Sequence, residues 1–361
     1  MTPMSKNILI TGGAGFVGSN LAVFLRQRLK DRRIICLDNL VRPGSALNVP
    51  RLQQQGITFI QEDIRNKSKL LELTGIEYII DCSAEPSVLA AYEDPNYTID
   101  TNLMGTVNCL ELARREGAHF IFLSTSRVYP LAGLEALPFE EHASRFDWRK
   151  DVQGPGVSFA GISHRFPLEG TRSIYGTTKL CSEMMVAEYC QAFGLKGAVT
   201  RFGLIAGPWQ MGKMDQGIVG LWVAHHKFAV PLSYIGYTGQ GKQVRDAIHI
   251  DDVCDLVLYQ MTHLEKMQGK VYNAGGGRDN SFSLNELTAL TAEICKAKIP
   301  IGRALETRKG DMRVYITDNA LITRDLGWAP RKNLSQIIED INSWMDVYQT
   351  QLRGILTLVQ T

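Results

Sequence analysis

None of the seven cysteines (Cys36, Cys82, Cys109, Cys181, Cys190, Cys254, Cys295) stands in a C-x-x-C pair. An odd, scattered set argues against a disulfide framework and against a cysteine-based zinc site, so no metal is expected. Long apolar runs are missing too: none reaches the roughly 20 residues that cross a bilayer. The opening MTPMSKNILITGG lacks the charged start, apolar middle and small-residue cleavage site of a signal peptide. The expected address is therefore the cytoplasm, with no membrane partner. Charge of one sign is also in short supply, since 39 Lys and Arg against 37 Asp and Glu leave only +2. That is too little global field to hold a nucleic acid, and any phosphate must be bound locally. No internal repeat or low-complexity tract is visible.

What is there is a chain of 361 residues, 45% hydrophobic and 21% charged, the composition of a soluble protein with room for two lobes. From Lys6 onward, strand-like runs (NILIT, RIICLD, ITFIQED, YIIDCSA, HFIFLSTS) alternate with amphipathic stretches, which reads as βαβ units around a parallel sheet. The expected fold class is α/β: a Rossmann-type doubly wound parallel sheet with a smaller, partly interleaved C-terminal substrate domain. The cofactor domain is placed at residues 1–200, with segments near 245–277 returning to it, and the substrate domain mainly at 201–361. Between Leu131 and Gly170 lies a stretch rich in turn residues and poor in periodicity. It reads as a substrate-covering lid or, equally, as a plain surface insertion.

Directly after the first strand stands Thr11-Gly12-Gly13-Ala14-Gly15-Phe16-Val17-Gly18, followed by a helix-like run. Gly12 permits a tight turn, Gly15 lets backbone approach a pyrophosphate, and Gly18 allows close helix–strand packing. The second strand ends in Asp38, followed by Asn39, at the distance where a carboxylate accepts hydrogen bonds from an adenosine ribose. That charge repels a 2′-phosphate, so NAD is the expected cofactor.

Tyr175 and Lys179 are four residues apart, on one face of a predicted helix. A phenol of ordinary pKa ~10 is a poor base at neutral pH, and a neighbouring ammonium brings it toward the useful range.

These motifs resemble those of the extended short-chain dehydrogenase/reductase family, whose fingerprint is T-G-x-x-G-x-x-G, and the resemblance recurs along nearly the whole chain. It implies an adenine contact at Asp63-Ile64, with a surface carboxylate as the alternative for Asp63. It further implies a cofactor-side loop at Ser83-Ala84-Glu85, a helix asparagine at Asn102 that could equally be a simple cap, and a catalytic hydroxyl at Thr125 in LSTSRVYP. Ser124 is expected near the nicotinamide and Ser126 beside the substrate. The family's dehydratases carry an acidic pair after the catalytic threonine; this chain has Ser126-Arg127, which points to an epimerase.

Where related 4-epimerases have R-Y-F-N, this chain has Arg201-Phe202-Gly203-Leu204. The segments GQGKQVRDAIHIDDV and KGDMRVYITDNALITRDLGW resemble the branch that inverts C2 of a CDP-linked dideoxyhexose. Arg245 and Arg308 are assigned to the substrate diphosphate, with ion pairs to Asp246 or Asp311 as the alternative. Gln216 and Gly217 are placed at the sugar pocket, and His225-His226 is read as structural. The resemblance implies a homo-oligomer, dimer or tetramer. Two readings stay open beside the CDP-sugar epimerase: a UDP-sugar 4-epimerase or decarboxylase, and a non-catalytic NAD-binding sensor.

Overall fold

β1 (Asn7–Thr11) reads NILIT and is buried along its whole length. An apolar, β-branched run without polar alternation suits a strand covered on both faces, the central position of a parallel sheet. The computed structural model, which describes residues 7–212 and 216–356, puts it there. β2 (Arg33–Asp38), β3 (Thr58–Gln61), β4 (Ile76–Asp81), β5 (His119–Thr125), β6 (Gly197–Phe202) and β7 (Val271–Ala274) complete a seven-stranded sheet in the order β7-β6-β5-β4-β1-β2-β3. β1 runs parallel to β2 and β4, β2 to β3, and β4 to β5. Strand order reverses between β1 and β4, which opens a crevice at the carboxyl ends of these strands, where doubly wound sheets bind their ligands. Three helices of this unit flank the crevice or the core beneath it: α1 (Phe16–Arg28), α2 (Gly105–Glu116) and α3 (Ile174–Phe193). Leu9, Ile79, Phe120 and Phe122 of the sheet meet Leu110, Leu112 and Ala113 of α2 and Val186 of α3 in one core. Each large side chain so buried contributes about 1.5–3 kcal/mol.

The chain divides into two units. The first comprises the chain up to Thr125, Ile174–Arg201 and Val253–Tyr272; the second comprises Ser126–Ser173, Phe202–Asp252 and the chain from Asn273 onward. This departs from the sequence expectation in two places. Residues 126–173 group with the second unit although they interrupt the Rossmann alternation, and the returning segment is Val253–Tyr272, narrower than 245–277.

Within the second unit, Leu204–Ala206, Val244–His249 and Ser281–Ser283 form a three-stranded sheet, and Leu232–Ile235 pairs with Ile301–Ala304. Its helices Leu284–Ile294 and Leu334–Val347 each open on a capping box, from Ser283 with Glu286 and from Asn333 with Gln336. The 131–170 stretch is not an unstructured lid. Phe139–Glu141 pairs antiparallel with Phe146–Trp148, and strands at 153–154, 157–158 and 161–162 make a further small sheet. Backbone bonds from Ile162 N to Ile316 O (2.8 Å), Asp318 N to Ile162 O (3.0 Å) and Phe146 N to Lys242 O (2.8 Å) stitch it into its unit. Strands of two or three residues carry no readable periodicity, which is why the sequence looked irregular here. No described helix is long and apolar enough to cross a membrane.

Candidate active site

The turn between β1 and α1 is closed by a bond from Gly15 N to Gly12 O (3.0 Å). Gly12 sits at φ +62°, and a Cβ on Gly18 would lie 2.2 Å from Gly12 O, so side chains are barred at both positions by the backbone itself. α1 starts at Phe16, with Val17 behind it, on a Gly15 cap that provides no side-chain hydrogen bond, and the first turn carries no acid. Its N–H donors and positive dipole end thus remain available to an anion. This is the geometry a dinucleotide pyrophosphate fits.

Asp38 ends β2 beside that turn. One of its oxygens accepts Ala14 N (3.1 Å) and the other Leu40 N (2.8 Å). Burial raises its pKa, and these backbone bonds counter the rise. Gly15 N–H donates to the same carboxylate, so the glycine turn itself orients Asp38 beside the place where a ribose diol would lie. Asn39 and Asp63 do not face outward independently: Asn39 donates its amide to Asp63 (2.8 Å), and Arg65 grips the same carboxylate through Nε (3.0 Å) and Nη2 (2.8 Å). Burial works against the carboxylate, but these donors win and hold its pKa down at about 2. Asp63 is therefore an intramolecular ion-pair partner as well as a neighbour of the buried Ile64. Asn102 is fully buried and spans the Ser83-Ala84-Glu85 loop, accepting Glu85 N (2.7 Å) and donating to Glu85 O (3.1 Å) and to the Thr178 hydroxyl (3.2 Å). It shapes the cofactor-side loop from behind.

α3 is unusual in what it buries. Its inward face carries Tyr175, Thr178, Lys179, Ser182, Glu183 and Val186, mostly polar, while Met184 and Phe193 are exposed. A core-facing helix normally shows the reverse. Tyr175 is 9% and Lys179 2% exposed. The Lys179 ammonium lies over the Phe122 ring at 4.0 Å. Burial lowers its pKa, and the charges of Asp81 and Glu183 oppose that drop. Asp81, at the end of β4, accepts the hydroxyls of Thr11 (2.8 Å) and Thr106 (2.7 Å) and the N–H of Ser83 (3.1 Å). Thr125 closes β5, on which α3 packs. Ser124 donates its hydroxyl to Glu183, so that group is engaged within the protein. Sequence reasoning missed Asp81, Glu183 and Arg201. The one available signal was spacing, since Glu183 continues the Tyr175–Lys179 interval by another four residues.

The second unit holds the residues assigned to substrate. Arg245 donates to Asp311 (2.7 Å) and to Val244 O (2.7 Å), so the ion-pair alternative is the arrangement found. Arg308 is half-buried in the turn that Asp311 N closes onto its carbonyl (3.2 Å). Ser126 opens a 3-10 turn, and Arg127 within it donates to Gly310 O (2.7 Å). Gln216 is half-buried, and Gly217, at φ +69°, caps the helix Ile218–Phe228. His225 and His226 bond through Nδ1 to Pro231 O (3.1 Å) and Trp222 O (2.8 Å).

Among the described residues, His249, Asp251 and Asp340 have ligating atoms close enough for an ion. Lys332 already neutralises both carboxylates (2.8 and 2.6 Å). His249 Nδ1 accepts Asp251 N (3.0 Å), which places the ring proton on Nε2, 3.3 Å from Asp340. A protonated Nε2 is no ligand.

The profile of the NAD dependent epimerase/dehydratase family matches residues 8–275. The CDP-paratose 2-epimerase of Salmonella typhi is 30% identical over 93% of this chain and 98% of that protein. The dTDP-glucose 4,6-dehydratase of Streptomyces antibioticus is 28% identical over 94% and 92%. A solved UDP-glucose 4-epimerase from Thermotoga maritima, crystallised with UDP-glucose, superposes with a TM-score of 0.76 at 26% identity, covering 95% of this chain and 99% of that one.

Proposed function

The chain belongs to the NAD-dependent epimerase/dehydratase family, and on that premise we propose that it is a nucleotide-sugar epimerase that retains NAD and inverts C2 of a CDP-linked dideoxyhexose, converting CDP-paratose to CDP-tyvelose. The observation that carries this reading is the buried polar stripe of α3, with Tyr175 and Lys179 in the same unit as the glycine turn and Asp38. NAD, when bound, supplies the hydride acceptor and returns the hydride. Tyr175 takes the proton of the sugar hydroxyl as the carbinol hydrogen leaves as hydride, giving a keto sugar. Lys179 stabilises the phenolate, and Thr125 holds the reacting oxygen in line. Tyr175 would return that proton to the same sugar oxygen in the reverse half-reaction, leaving the residue as it began.

Elimination of water, the dehydratase outcome, needs an acid and a base after the threonine. Arg127 instead donates to Gly310 O from that position, which favours epimerisation. Preference for CDP is supported by the 30% identical Salmonella relative. Arg245 and Arg308 serve the diphosphate in this reading, with Arg245 exchanging its Asp311 partner for phosphate oxygens, and Ser126 and Gln216 line the sugar pocket. Exposed Met184 (63%) and Phe193 (53%) on α3, with Ile99 and Met104, support a homo-oligomer, which light scattering checks.

Purified protein should convert CDP-paratose without added cofactor, with NMR showing inversion at C2. Stoichiometric NADH consumption would make it a reductase instead. A UDP-sugar 4-epimerase is the second reading, favoured by the structural match to the Thermotoga enzyme; turnover of UDP-glucose with none of CDP-paratose selects it.

A further inference from the structure

Three polar side chains that the reaction leaves unused meet about one turn beyond Lys179 on the buried face of α3. Glu183 follows Lys179 by four residues and Tyr175 by eight, so all three share one side of α3, with about 6 Å of axial rise between successive members. It is 4% exposed, as is Arg201 of β6. Arg201 Nε lies 3.0 and 3.1 Å from the two carboxylate oxygens, and Nη2 lies 2.7 Å from Oε2. Ser124, the penultimate residue of β5 and itself buried, donates its hydroxyl to Oε1. One carboxylate thereby joins α3 to two strands that are neighbours in the sheet.

Stability alone is a poor reason for such a set. Desolvating a Glu–Arg pair is costly, and apolar side chains of equal volume often hold elements together at least as well. A hydrogen bond adds what apolar contact lacks, a fixed distance and direction. Ser124 and Thr125 are consecutive in β5, so a strand end held through the Ser124 hydroxyl also holds the backbone of Thr125 relative to α3.

We infer that Glu183 is a positioning residue: through Ser124 it fixes the register of β5 against α3, and so of Thr125 against Tyr175, while Arg201 holds the carboxylate in place. Glu183 also adds negative charge on the helix that bears Lys179, whose ammonium is otherwise faced by Asp81 at the end of β4. The inference rests on Thr125, Tyr175 and Lys179 being the reacting set.

The test uses Ser124→Ala, Glu183→Gln and Glu183→Asp, with Tyr175→Phe alongside, on a panel containing CDP-paratose and UDP-glucose, with rates normalised to bound NAD. Ser124→Ala leaves the ion pair intact and reports on register: kcat falls about tenfold or more, with KM little changed and the acid limb of the pH profile unmoved. Glu183→Gln loses similar activity, and its acid limb moves to lower pH by about half a unit or more, because the uncompensated Arg201 charge favours a phenolate. Glu183→Asp, shorter but charged, restores the limb and not kcat. If Ser124→Ala and Glu183→Gln lose only thermal stability, with kcat and pH profile as in wild type, the positioning role is overturned. Ser124→Ala alone decides this should Glu183→Gln not fold. An active Tyr175→Phe means the reacting set was misassigned; an inactive Tyr175→Phe beside wild-type-like Ser124→Ala and Glu183→Gln sinks only the positioning role. A wild type inert on the whole panel overturns both.

Discussion

Asp246 offers a measurement whose size comes from the structure. It is 1% exposed, and Gly277 N donates to its Oδ2 at 2.9 Å. Burial pushes its pKa up from 3.8 to about 6, against that backbone bond. An acid whose folded pKa lies above its unfolded value contributes stability that is fully present below the unfolded pKa and lost as pH rises through the folded one. A rise of about two units corresponds to roughly 3 kcal/mol, most of it lost between about pH 4 and pH 7. Asp246→Asn removes the ionisation. The perturbation is therefore read as a difference: wild type minus variant, measured by urea unfolding at closely spaced pH values, should fall by about 3 kcal/mol between pH 4 and pH 7 and stay flat above. Taking the difference cancels titration elsewhere and the fixed cost of placing an amide at this position. A pH-independent difference, varying by less than about 0.5 kcal/mol, would refute the claim that burial dominates over the Gly277 bond.

Other expected outcomes are direct. Tyr175→Phe should reduce epimerisation by about 10²-fold or more while purified protein still carries NAD, measured by absorbance after denaturation. Gly18→Ala should strip NAD, since its Cβ would lie 2.2 Å from Gly12 O and push α1 off the turn; a full NAD complement in that variant refutes the cradle. Arg245→Met should raise KM for the nucleotide sugar about tenfold or more with NAD content unchanged, and steady-state kinetics check it. Arg65→Met should raise the Asp63 pKa from about 2 toward the ordinary carboxylate range, because it removes the main donor that opposes burial; NMR titration of the carboxyl tracks it.

Much of the first unit was readable because its signals are local. The run NILIT, the spacing of Gly12, Gly15 and Gly18, and the interval from Tyr175 to Lys179 each act within a few residues, where backbone geometry leaves one arrangement. The 131–170 stretch carries no readable pattern in the sequence because its strands are shorter than one period of alternation. Asp63 reads in the sequence as an adenine contact or a surface carboxylate, while its bond with Asn39 and the Arg65 grip depend on how β2 and β3 lie side by side.

By itself, then, the chain's order of residues determined the βαβ succession, the anion-binding turn and the phenol–ammonium pair, because each rests on hydrogen bonds or rotations between near neighbours. Tertiary structure alone decided that Asp81 stands beside Lys179, that Ser124 and Arg201 converge on Glu183, and that Arg245 is held by Asp311. Those partners lie 18 to 98 positions apart in the chain. Which charges meet at such separations is settled by how strands and helices pack, and no spacing along the sequence encodes it.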